Sequence, residues 1–282
     1  MSAAPARRIG TRGSALALWQ SGGRAFFTRE IDRALLEGTV DVAVHSLKDL
    51  ATQLESGLTL AATLTRADPR DALVSRNGAR LAELARGARI GTSSLRRRAF
   101  LARVRPDAEL LELRGNVPTR IERLQRGDYD AIVLAAAGLA RLGLERHISE
   151  HLDPAVFPPA VSQGVIGVCV RAADAATLRW VAPLDDHEAR LATTAERALL
   201  RRLEGGCQVP LGALATVRGG TLTLHATVCA LDGSRHVAAR GEAPAAPAEA
   251  AALGTRIAEE LLTRGAGGLI AHERAPRAVE EP

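Results

Sequence analysis

Three stretches carry residue types able to do chemistry. The first is Val44-His45-Ser46-Leu47-Lys48-Asp49-Leu50, where an apolar run ends and a lysine and an aspartate follow at once. In open α/β sheets, ligands bind beyond the carboxyl ends of strands, so Asp49 stands where a catalytic carboxylate would. A turn or capping role suits the same position. Lys48 is the single lysine of a chain that otherwise uses arginine; a compact ammonium that can release a proton is the property arginine lacks. The second stretch is Ile90-Gly91-Thr92-Ser93-Ser94-Leu95-Arg96-Arg97-Arg98, with Leu113-Arg114-Gly115-Asn116-Val117-Pro118-Thr119-Arg120 and Thr11-Arg12-Gly13-Ser14 as relatives. In each, a strand runs into a turn and a helix start, where free N–H groups and hydroxyls attract anions. Arginines in a first helical turn oppose the helix dipole. They need an anionic ligand or a facing acid, unless they form a solvated basic face. Three such junctions on one sheet edge point to a ligand with several carboxylates or phosphates. The third stretch is Glu204-Gly205-Gly206-Cys207-Gln208-Val209-Pro210. Two glycines clear the approach to Cys207, leaving a thiol open for nucleophilic use; a helix cap followed by a buried cysteine fits the same string.

These stretches are positioned by an internal repeat. Arg8-Ile9-Gly10-Thr11 recurs as Arg89-Ile90-Gly91-Thr92. Thr28–Gly38, Asp41 and Val42-Ala43-Val44 recur as Thr119–Gly127, Asp130 and Ala131–Leu134. Both halves read helix, glycine, two residues, aspartate, buried strand, which predicts a parallel-type α/β sheet in each. The halves are unequal. The second has room for a middle strand at Glu109–Leu113; in the first, Gln20 is followed directly by Ser21-Gly22-Gly23. Residues 146–164 read as a connection and Val165–Val170 as a returning strand. Asp185–Leu203 reads as a helix, followed by antiparallel strands at Ala213–Arg218, Thr221–Leu231 and His236–Ala243. A last helix covers Ala248–Arg264, and a polar tail ends the chain.

Composition narrows the function classes. The chain has 282 residues, 46% hydrophobic and 24% charged, with a net charge of +5, an ordinary soluble balance. Aromatics are only 2%, leaving few platforms for stacking nucleic-acid bases, and no recognition motif is present. No GxxxxGK[ST] or GxGxxG supports nucleotide binding, and no HExxH or Cys/His cluster supports a metal. The start lacks an apolar core for a secretory leader, and the longest apolar run, Ala131–Ala140, is about half of the ~20 residues needed to span a bilayer. Three cysteines without a CxxC pair fit a reducing compartment.

Taken together, IGTRGSALALWQ, DVAVHSLKDL, DPRDALVS, IGTSSLRRRAF, LRGNVPTRI, YDAIVLAAAGLARLGL, PAVSQG and RLEGGCQVPLGA closely resemble the porphobilinogen deaminase (hydroxymethylbilane synthase) family, in family order over most of the chain. The resemblance implies two periplasmic-binding-protein-like (type II) α/β domains and a small C-terminal α+β domain. The expected boundaries are 1–66 with 165–184, then 67–164, then 185–282. It implies a cytoplasmic, monomeric enzyme that condenses four porphobilinogens head to tail into hydroxymethylbilane and releases ammonia at each step. One dipyrromethane cofactor would be held by a thioether to Cys207. Asp49 matches the catalytic aspartate, placed to steady the cation left when ammonia departs. Ser46, Lys48, Asp49, Thr92, Ser94, Arg96, Arg97 and Gly115 would hold the cofactor. Arg12, Ser14, Ser93, Arg114, Arg120, Arg141 and Gln163 would hold porphobilinogen and the growing polypyrrole, whose carboxylates suit bidentate arginine pairing. The partners expected are these small molecules alone, with no nucleic acid, membrane or metal.

The chain also departs from the family pattern. The stretch after Gln20 lacks the rest of the first helix, an edge strand and a mobile segment that covers the site. Arg24 stands where lysine is frequent, Ala51 where proline is usual, Ser162 where glycine is usual and Cys169 where glutamate is usual. Loss of a cover admits water to a reactive cation. The alternative expectation is therefore an impaired or non-catalytic relative that binds dipyrromethane or polycarboxylates without turnover.

Overall fold

The internal repeat persists down to strand register. In the computed structural model, which describes residues 7–11, 28–203 and 210–274, β1 (Ile9–Gly10) runs parallel to β2 (Val42–Ser46), pairing Ile9 with Val42 and Gly10 with Ala43. β5 (Arg89–Gly91) runs parallel to β7 (Ala131–Ala135), pairing Ile90 with Ala131 and Gly91 with Ile132. The repeated aspartates clasp the repeated arginines. Asp41 accepts from the backbone N–H of Arg8 at 3.0 Å and from its side chain, and Asp130 does the same for Arg89 at 2.9 Å. Each guanidinium also reaches the carbonyl of the turn glycine, Gly38 or Gly127. Both glycines have positive φ, 73° and 89°, a conformation open to glycine at little steric cost.

The first sheet has the order β1-β2-β9-β3, with β3 at Leu58–Thr63 and β9 at Ile166–Arg171. The second has the order β6-β5-β7-β4-β8, with β4 at Asp71–Ser75, β6 at Glu109–Leu111 and β8 at Glu150–His151. The orders match β1 with β5, β2 with β7, β9 with β4 and β3 with β8; β6 has no counterpart among the described residues. The sheets are mixed, which corrects the parallel expectation. Among the described residues, the parallel pairs are in β1–β2 and β5–β6–β7, while β9 and β4 run antiparallel to their neighbours. The reason is connectivity: each enters from the other sheet, so it arrives from the opposite end. β3, β4 and β8 are strands that the sequence reading does not name; β8 lies inside the expected connection.

Helices cover both sheets. α1 (Thr28–Leu36) buries Ile31 and Leu35 against the first. α2 (Leu95–Val104) and α3 (Val117–Gln125) start at side-chain caps from Ser94 and Asn116 and, with the short α4 (Ala136–Ala140), flank the second. α5 (Ala175–Val181) closes the first sheet's other face. A third core lies between the antiparallel strands β10 (Leu211–Arg218), β11 (Thr221–Cys229) and β12 (His236–Pro244) and the helices α6 (His187–Arg202), α7 (Pro247–Thr263) and α8 (Ala266–Arg274). α8 replaces the start of the expected polar tail, because Ala266, Leu269 and Ile270 are buried in this core.

The chain crosses between the sheets at residues 64–70 and 160–165, and the crossings lie side by side. The Ala67 N–H donates to the Gly164 carbonyl at 3.1 Å, and Arg66 Nε to the Gln163 carbonyl at 2.9 Å. A Cβ at Gly164 would sit 2.5 Å from the Ala67 carbonyl oxygen, and its φ is 90°, so glycine is required there. Glu196 of α6, fully buried, joins all three units. It takes Arg66 Nη1 at 2.6 Å, the Ser162 N–H at 2.6 Å and the Ala215 N–H at 2.7 Å. Ser162 itself holds a φ of 62° and buries a hydroxyl with no hydrogen-bond partner. A left-handed non-glycine residue is strained by about 1–2 kcal/mol, partly offset by the freer unfolded chain of glycine. Ser162→Gly is therefore expected to gain about 1 kcal/mol, a rise in melting midpoint of ~2–4 °C. A midpoint at or below that of the parent chain would show the backbone there to be relaxed.

Candidate active site

At the carboxyl end of β2 the chain makes one 3-10 turn, Leu47–Asp49. Leu47 is fully buried, and its N–H donates to the Val165 carbonyl at 2.9 Å. With Leu47 pinned inward, Lys48 lies half-buried and Asp49 exposed. Both line a cleft of about 360 Å³ whose other walls include Ser93, Ser94, Arg96, Arg97, Arg120 and Gln163. The first sheet thus supplies the acid and the lysine, the helix starts of the second supply the arginines, and a crossing supplies the glutamine.

A buried carboxylate organises this wall. Asp71, at the head of β4, is fully buried. Its Oδ1 accepts from Arg97 Nε and Nη2 at 3.0 and 2.7 Å, and its Oδ2 meets Arg96 Nη2 at 2.7 Å. Gln163 Nε2 donates to the same Oδ1 at 3.1 Å, while Gln163 Oε1 accepts from Lys48 Nζ at 3.3 Å. One hydrogen-bonded path therefore runs from Lys48 through Gln163 and Asp71 to both arginines. Burial pushes the Asp71 carboxyl up, but Arg96, Arg97 and Gln163 outweigh it and hold it at about 2. Asp71 is the facing acid that the first-turn arginines require, and the sequence reading does not single it out. Its signal is a lone aspartate opening the apolar strand Asp71-Ala72-Leu73-Val74.

This geometry removes one alternative. Arg96 and Arg97 are buried, so they form no solvated basic face. Three of the five Arg97 N–H groups are taken, two by Asp71 and one by the Val133 carbonyl at 2.8 Å. Arg96 Nη1 donates to the Pro158 carbonyl at 2.7 Å. Both guanidiniums line the cleft and bring their charge to its wall. Lys48, Arg96, Arg97 and Arg120 outnumber Asp49 and Asp71, and the surplus positive potential suits a polyanion.

The remaining expected residues spread around this cleft. Ser94 caps α2 and Ser93 bonds the Leu113 backbone both ways. Thr92 is buried at the end of β5, with its hydroxyl accepting from the Ser94 N–H. Ser46 ends β2. Gly115, with φ of 112°, offers its carbonyl to Arg120 Nε at 2.7 Å. Arg114 is exposed and paired with Glu112 at 2.7 Å, and Arg141 donates to the Gly164 carbonyl at 2.7 Å; neither lines the cleft. Arg12, Ser14 and Cys207, and the stretch after Gln20, fall outside the described residues. A larger hollow of about 580 Å³ among Asp68, Glu145, Glu150 and His151 shares no lining residue with this cleft. Its acids suit a polycarboxylate poorly. Among the described residues no cluster of metal-binding side chains occurs, and no helix is long and apolar enough to cross a membrane.

Lys48 gives the cleft a pH response. Its crowded surroundings pull the ammonium down to about 8, opposed by Asp49 and Asp71 and reinforced by Arg97 and Arg96. Carboxylate binding here is expected to weaken as pH rises through about 8, seen as a rising KM. Lys48→Met is expected to remove that limb, and a limb that survives the substitution would assign it elsewhere.

Comparison with known proteins bears on what binds. Residues 21–179 match the family model "Porphobilinogen deaminase, dipyromethane cofactor binding domain", and residues 190–263 match "Porphobilinogen deaminase, C-terminal domain". The chain belongs to the porphobilinogen deaminase family. Among relatives of that name, the protein of Roseiflexus castenholzii is 53% identical over 267 residues, covering 94% of this chain and 87% of that one. The protein of Syntrophotalea carbinolica is 45% identical over 302 residues, covering 94% and 95%. That alignment has more positions than this chain has residues, so part of the Syntrophotalea deaminase stands opposite gaps. Among solved structures, an ancestral cationic amino acid solute binding protein is a distant likeness, with a TM-score of 0.40 and 15% identity over 57% of this chain and 69% of that one.

Proposed function

We propose that the cleft between the first two sheets is where this deaminase condenses four porphobilinogens into linear hydroxymethylbilane, with Asp49 as the catalytic carboxylate. The observation that carries this reading is Asp49 at the tip of β2, in one cleft with Lys48, Arg96, Arg97 and Arg120. The residues fit a dipyrromethane. Such a group, made from two porphobilinogens, carries four carboxylates, and the cleft offers four cations against one buried and one exposed acid. Lys48, Ser94, Arg96, Arg97 and Arg120 would hold it from the cleft wall, and Cys207 by a thioether. When bound, it supplies the pyrrole carbon to which porphobilinogen is joined.

Asp49 accepts a hydrogen bond from the pyrrole N–H of incoming porphobilinogen. As the aminomethyl C–N bond breaks and ammonia departs, the ring is left cationic. A carboxylate at that N–H stabilises the charge as it develops, and the same group moves the proton released when the new C–C bond forms. Arg120 and Lys48 orient the acetate and propionate. The buried free thiols Cys169 and Cys229 support a reducing, cytoplasmic setting. The reading is tested by incubating the protein with porphobilinogen and following uroporphyrin after cyclisation and oxidation, with intact mass reporting the cofactor. Absence of porphyrin from cofactor-loaded protein would overturn it.

The second reading is an impaired or non-catalytic relative that binds dipyrromethane or polycarboxylates without turnover. It is supported by β1, which among the described residues has β2 on one side and no strand on the other, and by the gaps opposite the Syntrophotalea protein.

A further inference from the structure

The turn that carries Asp49 is held at both ends, and the second anchor comes from another unit of the fold. Entry is fixed by the Leu47 N–H on the Val165 carbonyl. Exit is fixed by Arg197 of α6, whose Nη1 donates to the Leu50 carbonyl at 3.1 Å and whose Nη2 donates to the Ala51 carbonyl. Among the described residues no carboxylate pairs with Arg197. Burial lowers its guanidinium from the usual value, yet a guanidinium stays charged at any working pH. Its nearby thiol, Cys169, is pushed by burial up to about 12 and so offers no counter-charge. A cation spent on two successive carbonyls gives them strong charge-assisted bonds. Neighbouring Glu196 reaches the crossings from the same helix turn, and α6 ends just before the Cys207 stretch.

We infer that Arg197 is a positioning residue for Asp49, clamping the exit of its turn from the helix that leads to Cys207. This rests on the role proposed for Asp49 above. The clamp fixes where the carboxylate stands, and a displacement of about 1 Å at a reacting centre can lower rates by roughly 10²-fold.

Hydrogen–deuterium exchange of the peptide over residues 47–52, in cofactor-loaded protein, reads the clamp without reference to turnover. In Arg197→Met, exchange there is expected to rise roughly tenfold, one decade of local opening. kcat should fall by roughly ten- to a hundredfold with KM nearly unchanged, the pattern of a lost transition-state interaction. Arg197→Lys, able to reach one carbonyl, should recover part of both, and it answers the question alone if the Met variant fails to fold. Unchanged exchange over 47–52 overturns the clamp. Faster exchange with unchanged kcat overturns the positioning role, as does a fall in activity matched by equal loss of cofactor or of global stability. If the parent protein makes no porphyrin, the functional reading fails while the exchange result still stands on its own.

Discussion

Asp49→Asn is expected to lower porphyrin formation by roughly 10²–10⁴-fold, the usual worth of a general acid–base group, with little change in the melting midpoint. Asp49 is exposed at the cleft rim, and exposed substitutions commonly stay within about 0.5 kcal/mol. The amide keeps the shape and removes the charge that would face the cation. A second consequence separates this from a general disturbance. Asp49 is the leading group that props up the Lys48 ammonium, so its loss should move the alkaline limb of KM below about 8. Residual turnover within tenfold of the parent chain, or a limb that stays in place, would remove Asp49 from the chemistry.

Asp71→Asn is expected to be the most damaging single change to stability, costing about 3–5 kcal/mol, as when one partner of a buried ion pair is removed. It leaves Arg96 and Arg97 buried against a neutral amide, with Gln163 cut from its acceptor. Cofactor loading should fail with it, since the wall of the cleft loses its organiser. The pH dependence has a definite sign. The folded value of about 2 lies below the ordinary 3.8, so the contribution is complete above about pH 4 and fades as pH falls toward 2. A double variant, Asp71→Leu with Arg97→Met, should recover part of the stability but none of the loading. Equal acid unfolding of Asp71→Asn and the parent chain, by circular dichroism, would show that Asp71 does not carry this term.

What the sequence made legible was whatever is repeated or ends a patterned run. The repeated Arg-Ile-Gly-Thr and the spaced aspartates stand in their own clasp, so the paired strands could be read. Lys48 and Asp49 could be read from the end of an apolar run, and the arginine starts from their conflict with the helix dipole. Asp71, Glu196 and Arg197 could not. Their partners, Arg97 for Asp71 and Arg66 for Glu196, are marked by no repeat, and an acid beside an apolar segment looks locally like any cap. Strand direction was hidden for a similar reason, because Val-Cys-Val in β9 reads equally well either way. The helix after Gly265 escaped because glycine and polar residues outnumber the few apolar side chains that bury it.

The place of β9 has a consequence for synthesis. Every strand of the second sheet lies between residues 71 and 151 in unbroken succession. In the first sheet, among the described residues, β2 and β3 are joined through β9, which ends at Arg171. Translation delivers the N-terminal unit first, but its middle is missing until all of the second sheet has been made. Contiguous segments settle before distant ones because loop closure carries an entropic cost. On the ribosome, therefore, the arginine-bearing half is expected to take shape around Asp71 ahead of the half that bears Asp49, whose last strand emerges later.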